Sequence, residues 1–248
     1  MAEQTENSKN GTSAFLDAEW RKLLMFNYAV DETLLLPYLP YKTEIDRWNG
    51  VCYASLVGFM FLNTKMMGLK IPFHVNFEEV NLRFYVRYRE GDVWKRGVVF
   101  IKEIVPRLAI SVVANTLYGE HYETLPMRHQ WTETVDALTV EYAWKKGGWH
   151  SMKATAENRL VAIEAGSESE FITEHYWGYS QIGTAKTSEY GVEHPKWDVY
   201  PVRESSIDVD FETLYGPSFK FLGEAKPLSV FIAEGSSIKV NSKRIISE

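Results

Sequence analysis

The chain has 248 residues, 45% of them hydrophobic and 14% aromatic, and a formal charge of −6. That length and apolar fraction suit one large β-rich domain or two small ones. The mild acidity, without a basic stripe, argues against nucleic acid and against an anionic membrane surface as partners. Cys52 is the sole cysteine, which excludes an internal disulfide. No apolar run reaches the roughly 18 residues of a membrane helix and the N-terminus lacks a signal-type apolar core, so a cytoplasmic protein is expected.

Residues 1–13 are polar and read as a disordered tail. From Phe15 to Leu24 the pattern is helix-like, while Lys22 to Val30 reads equally as a first strand, and the sequence leaves the two open. Asp31 suits the N-cap of a short helix that Pro37 and Pro40 would end. Val51 to Leu62 is an apolar run of β-type composition, a buried strand.

The segment from His74 to Arg107 predicts two strands joined by a polar turn. In residues 77–88 the even positions include Val80, Leu82, Phe84 and Val86, and the odd ones include Glu79, Asn81, Arg83 and Tyr85. A period of two marks a strand with one greasy and one polar face. Gly97 to Val105 is apolar on both sides apart from Lys102 and Glu103, as in a central strand covered on both faces. Leu108 to Leu117 predicts a helix closed by Gly119. Residues 120–131 form a loop passing into a strand. Leu138 to Trp144 and Trp149 to Thr155 then pair across a turn at residues 145–148. Ser167 to Tyr176 suits a short helix, and short strands alternate with turns to Ile246, with a hairpin at Glu234 to Ser237. No linker or repeat divides the chain, so residues 14–248 are expected to form one domain. Many short strands with few helices favour a barrel or a sandwich.

The row Glu79, Asn81, Arg83 and Tyr85 faces either solvent or an enclosed chamber. In a chamber, Glu79 would be a desolvated acid and Arg83 a bidentate anchor for a carboxylate; on a solvated face the pair would matter little. Lys102 shares its predicted face with Val98, Phe100 and Ile104, a setting for a neutral, nucleophilic amine or for a stem that snorkels to the rim. The six histidines show no metal-ligand spacing, so no metal is expected. His121 is the strongest histidine candidate, with a surface loop as the competing reading. The clusters Glu174–Trp177 and His194–Trp197 could form a pocket wall, with core edges as the preferred reading. The chain has no GxSxG, Walker, GxGxxG or paired CxxC motif, which disfavours the common hydrolases, kinases and dinucleotide enzymes, and no cofactor is expected.

The run FxEVNLRxYV (Phe77 to Val86), the strand ending in Pro106-Arg107, the AxxxYG helix end, and the later TEHYWGY and EHPxW segments resemble the uncharacterised YqjF-like family of the acetoacetate decarboxylase-like superfamily. The resemblance covers the chain from about Arg21 onward, with motifs that are specific as a set and weak singly. It implies a mainly β (α+β) fold: a closed, cone-shaped β-barrel with flanking small sheets, short helices and an internal ligand cavity. In the decarboxylase a barrel-strand glutamate lies near two adjacent lysines, the first of which forms a Schiff base with a β-keto acid. The glutamate falls on Glu79, whereas the lysine pair falls near His121 and Tyr122. Without an amine there, the imine route is lost.

The expectation is therefore a barrel binding a small molecule. It would be a lyase- or hydratase-type enzyme on a small carbonyl or carboxylate compound, or else a non-catalytic ligand-binding or sensor protein. Glu79, His121 and Tyr122 are the catalytic candidates. Asn81, Arg83, Tyr85, Lys102 and Tyr118 are the substrate-binding ones. A homo-oligomer is left open.

Overall fold

The computed structural model describes residues 14–248, apart from the side chains of Leu117 and Tyr118; the expected N-terminal tail and any contact of the Tyr118 side chain lie outside the described residues. The open question at the start of the chain resolves to one long strand, β1 (Ala14–Ala29). Its helical look has a physical origin. Lys22 takes a left-handed conformation, φ 53°, and the register with the neighbouring strand shifts between Arg21 and Leu24. The bulge flips the side-chain alternation. Ala18 and Trp20 pack on the inner side before it, Leu23 and Met25 after it, while Leu24, Phe26 and Tyr28 turn outward. Inward residues at 16, 20 and 23 imitate a helical period.

Asp31 caps the 3₁₀ turn Glu32–Leu34, accepting from the Thr33 N–H at 2.9 Å, and a second turn, Leu36–Tyr38, follows without a side-chain cap. The short strands β2 (Thr43–Ile45) and β3 (Arg47–Trp48) follow. Next come β4 (Val51–Met66), β5 (Phe77–Glu90) and β6 (Val93–Val105). Helix α1 (Leu108–Tyr118) ends at Gly119, whose φ of 72° supplies the left-handed cap. Beyond it lie β7 (Tyr122–Thr124), β8 (Met127–Glu133), β9 (Ala137–Lys146), β10 (Gly148–Glu157) and β11 (Val161–Ala162). Ser167 caps α2 (Glu168–Thr173), followed by β12 (Trp177–Gly183), β13 (Lys186–Glu193), β14 (Asp198–Tyr200) and β15 (Val202–Asp208). Helix α3 (Phe211–Tyr215), a 3₁₀ segment Pro217–Gly223, β16 (Ser229–Asn241) and β17 (Arg244–Ile246) complete the chain.

The large sheet runs β16-β1-β4-β5-β6-β12-β13, and β13 pairs β16 to close the ring. Six neighbour pairs of the ring are antiparallel and β6–β12 is parallel. A second, four-stranded sheet, β15-β10-β9-β8, covers the outside of β1, β4 and β5. The space between them is an apolar core containing Leu56, Val80, Leu82, Phe84, Tyr142 and Trp144. Burying an aliphatic or aromatic side chain of this kind contributes about 1.5–3 kcal/mol. Gly58 admits the Tyr142 ring: a Cβ there would lie 2.8 Å from it. The Tyr142 hydroxyl donates to the Lys22 carbonyl at 2.9 Å and so ties the outer sheet to the bulge in β1.

The hairpin expected at Glu234 to Ser237 is not formed. β16 runs straight through, and Gly235, φ 82°, serves a close approach: a Cβ would meet the Trp20 carbonyl oxygen at 2.0 Å. Among the described residues, no helix is long and apolar enough to cross a membrane.

Candidate functional site

The alternation of β5 divides two environments. Val80, Leu82, Phe84 and Val86 enter the core beneath the second sheet. Phe77, Glu79, Asn81 and Arg83 line a cavity of about 140 Å³ inside the ring. Tyr85 points to the same side but lies deeper, its hydroxyl 2.7 Å from Ser55 Oγ, and it does not line the cavity. Glu79 Oε1 accepts from Asn81 Nδ2 at 2.9 Å and Oε2 from the Tyr122 hydroxyl at 3.2 Å. Arg83 sits over the Tyr85 ring at 5.7 Å, and its Nε is buried without a partner.

On β6 the sequence reading fails at one residue. Arg83 pairs Phe100, but Leu82 pairs Lys102, so Ile101 is an extra residue in a β-bulge. Val98 and Phe100 face the cavity before it and Glu103 after it. Lys102 is therefore turned outward, where Nζ meets Glu123 Oε2 at 3.0 Å and the Leu214 carbonyl. Ile104, expected beside Lys102, joins the outer core. The proposed binding role of Lys102 is corrected by this inversion.

The same rule of two corrects His121. β7 runs parallel to β6 with Tyr122 opposite Glu103. Glu120 and Tyr122 enter the cavity, whereas His121 is exposed and contributes its backbone carbonyl to the Glu103 N–H at 3.1 Å. Extended neighbours cannot share a face, so His121 and Tyr122 could not both have served. Glu120, passed over in the sequence, is 7% exposed, and Tyr190 donates to its Oε1 at 3.0 Å.

Aromatic side chains from distant strands make the remaining wall. Trp20 packs edge-on to Phe59, Phe61 belongs to the same wall, and His194 stacks on Trp197 at 4.1 Å between centroids. The clusters expected as core edges thus contribute His175, Trp177, His194 and Trp197 to the cavity. The signal was present in those aromatic pairs, but nothing in the spacing gave their facing. Nor did the sequence reveal Asp46, whose Oδ2 lies 3.2 Å from His175 Nε2 and 2.6 Å from Arg96 Nε.

Burial dominates the titration of the chamber. Desolvation lifts the Glu79 carboxyl to about 7 against the opposing pull of Asn81, Tyr122 and Arg83. It lifts Glu120 to about 8, against hydrogen bonds from Tyr190 and Ser180. Glu103 is raised well above the usual range by desolvation and then by repulsion from Glu120 and Glu79. Tyr122 and Tyr190 are held protonated by burial and the nearby carboxyls. Burial lowers His175 to about 4 despite Asp46, leaving a neutral ring. Arg83 is the cation among the described side chains lining the cavity, and no lysine lines it. Among the described residues no three His, Cys, Asp or Glu side chains are grouped to hold a metal ion.

Residues 17–237 match the model of DUF2071, described as an uncharacterised conserved protein. The chain belongs to the DUF2071 family. It is 27% identical over 212 residues to the uncharacterised protein YqjF of Bacillus subtilis, covering 84% of each chain. Among solved structures, acetoacetate decarboxylase from Legionella pneumophila superposes with a TM-score of 0.66 at 12% identity, covering 100% of this chain and 92% of that one. The enduracididine biosynthesis enzyme MppR, in complex with pyruvate, gives 0.66 at 12% identity, with 98% and 93% covered. This DUF2071 chain therefore has the acetoacetate decarboxylase-like fold.

Proposed function

We propose that the chamber binds a small carboxylate or carbonyl compound and performs proton transfer of the lyase or hydratase kind. The observation that carries this is the convergence of Arg83, Glu79 and Tyr122 on one cavity inside the ring. Its volume of about 140 Å³ supports a small ligand, from the size of benzene to a short-chain acid, since a cavity of about 150 Å³ holds benzene. Arg83 grips the ligand carboxylate. Glu79, whose carboxyl titrates about 7, is matched to take and return a proton near neutral pH. In a dehydration, Glu79 removes the proton next to the carbonyl carbon, and a protonated carboxyl of the chamber gives its proton to the departing hydroxyl, releasing water. Tyr122 stays neutral, and its hydroxyl turns from Glu79 to donate to the ligand oxygen on which charge develops. Schiff-base chemistry is not assigned, because no lysine is among the described side chains lining the cavity. Binding of a keto-acid and hydroxy-acid panel to the wild type, Glu79→Gln and Arg83→Ala tests the reading. We expect each variant to lose about tenfold or more in affinity; unchanged affinity in both would sink it.

The chamber wall has no lysine, serine or cysteine nucleophile among its described residues, which favours a second reading as a binding or sensor protein. Turnover of any panel member decides between the two.

A further inference from the structure

The chamber holds more acceptors than it satisfies. Asn81 Nδ2 is committed to Glu79, and Asn81 Oδ1 is left buried without a donor. Glu120 Oε1 is taken by Tyr190, and its Oε2 is unpartnered. Glu103 Oε2 is unpartnered as well. These residues are 1%, 7% and 2% exposed, and all three line the same cavity. Asn81 and Glu103 are direct cross-strand partners, so two of the three oxygens come from facing positions. A buried acceptor without a donor costs about 1–3 kcal/mol, and native proteins carry few of them. In their protonated form Glu103 and Glu120 each hold one O–H, enough for at most two of the three oxygens; once the two carboxyls ionise, all three need donors from a ligand.

We propose that the ligand is two-ended, with a carboxylate held by Arg83 and a primary ammonium held by Glu103, Glu120 and Asn81. An ammonium presents three donors and no acceptor, matching three waiting oxygens, and its charge offsets carboxylates that are costly to ionise there. Arg83 stands two residues from Asn81 along β5, about 7 Å, which sets the distance between the two ends. A linear amino acid with its amine several carbons from its carboxylate fits that span. The aromatic wall covers the methylene chain between them.

This rests on the chamber being a carboxylate site, and the test separates the two claims. Calorimetry would compare 5-aminopentanoate, pentanoate and pentylamine on the wild type, Arg83→Ala, and the double variant Glu103→Gln/Glu120→Gln. We expect 5-aminopentanoate to bind on the order of 30-fold tighter than pentanoate. The double variant should reduce that advantage to about threefold or less while keeping pentanoate affinity, which shows that it is folded. Pentanoate binding as tightly as 5-aminopentanoate, through Arg83, would overturn the ammonium site and leave the carboxylate reading standing. Binding of none of the three would overturn both.

Discussion

β5 and β6 are antiparallel neighbours with inward faces on the same chamber, yet only one can be read by alternation. β5 keeps strict period through Glu79, Asn81 and Arg83, so a single correct choice of face places all three. β6 carries an extra residue at Ile101, and everything beyond it changes sides. Lys102 and Glu103 exchange places, and with them the charge offered to a ligand. One bulge turns an apparent amine site into an acidic one. In a half-buried strand the irregularity is therefore the functional information.

The largest expected effect is on pH dependence, and it concerns the acids the bulge and β7 bring in. Above about pH 4.5 the unfolded chain has released its carboxyl protons, while folded Glu79 and Glu120 hold theirs up to about 7 and about 8. The folded state binds more protons in that window, so stability falls as pH rises through it. Each tenfold difference in proton affinity between the folded and unfolded chain is worth about 1.4 kcal/mol, so chemical denaturation should show a loss of more than about 3 kcal/mol between pH 5 and pH 8. Glu103→Gln and Glu120→Gln should each flatten the curve and raise stability at pH 8. A flat wild-type profile would contradict the buried acids.

Deleting Ile101 isolates the bulge. Glu103 already stands opposite Asn81, so the shortened strand keeps it inward. Loss of the buried isoleucine should cost about 2–4 kcal/mol in urea denaturation. Affinity for a carboxylate probe should stay within about threefold, since the chamber lining is retained. On β5, Arg83→Ala removes a charge-assisted anchor worth about 1.5–3 kcal/mol, seen as a 10- to 100-fold weaker carboxylate titration on a protein of near-normal stability. The smallest effects belong to the residues the inversion turns outward. His121→Ala and Lys102→Ala should change ligand affinity by less than about 0.5 kcal/mol. A strong effect from either would restore the unbulged reading of β6 and β7.

Much of the architecture was visible in residue patterns: the β4 apolar run, the β5 alternation, the Gly119 cap and the short helix after Ser167 each rest on local chemistry. What was lost depended on contacts between distant segments. The bulge at Lys22 made a strand look helical, and Gly235 looked like a turn because nothing nearby reveals the Trp20 carbonyl against it. The shared facing of Glu79, Asn81 and Arg83 was legible from one strand. Glu103, Glu120 and His175 with Asp46 were missed because their inward facing depends on pairings with other elements. The family resemblance gave the fold, and where it pointed to His121 and Tyr122 the chamber receives Glu120 and Tyr122.

The ring is sewn shut by unequal stitching. β1 matches β16 over Ala14 to Asn27, but β12 meets β6 only at Trp177 and Gly178, and β13 meets β16 only at Val192 and Glu193. The β12–β13 hairpin is thus a clasp laid across a cup whose other staves pair over eight or more residues each. Both fastenings are long-range in sequence and small in area, so the clasp closes late in folding and is first to let go. Among the strands of the ring, amide exchange should be quickest along Trp177–Val192, the side of the vessel through which its contents can be traded with the least disruption.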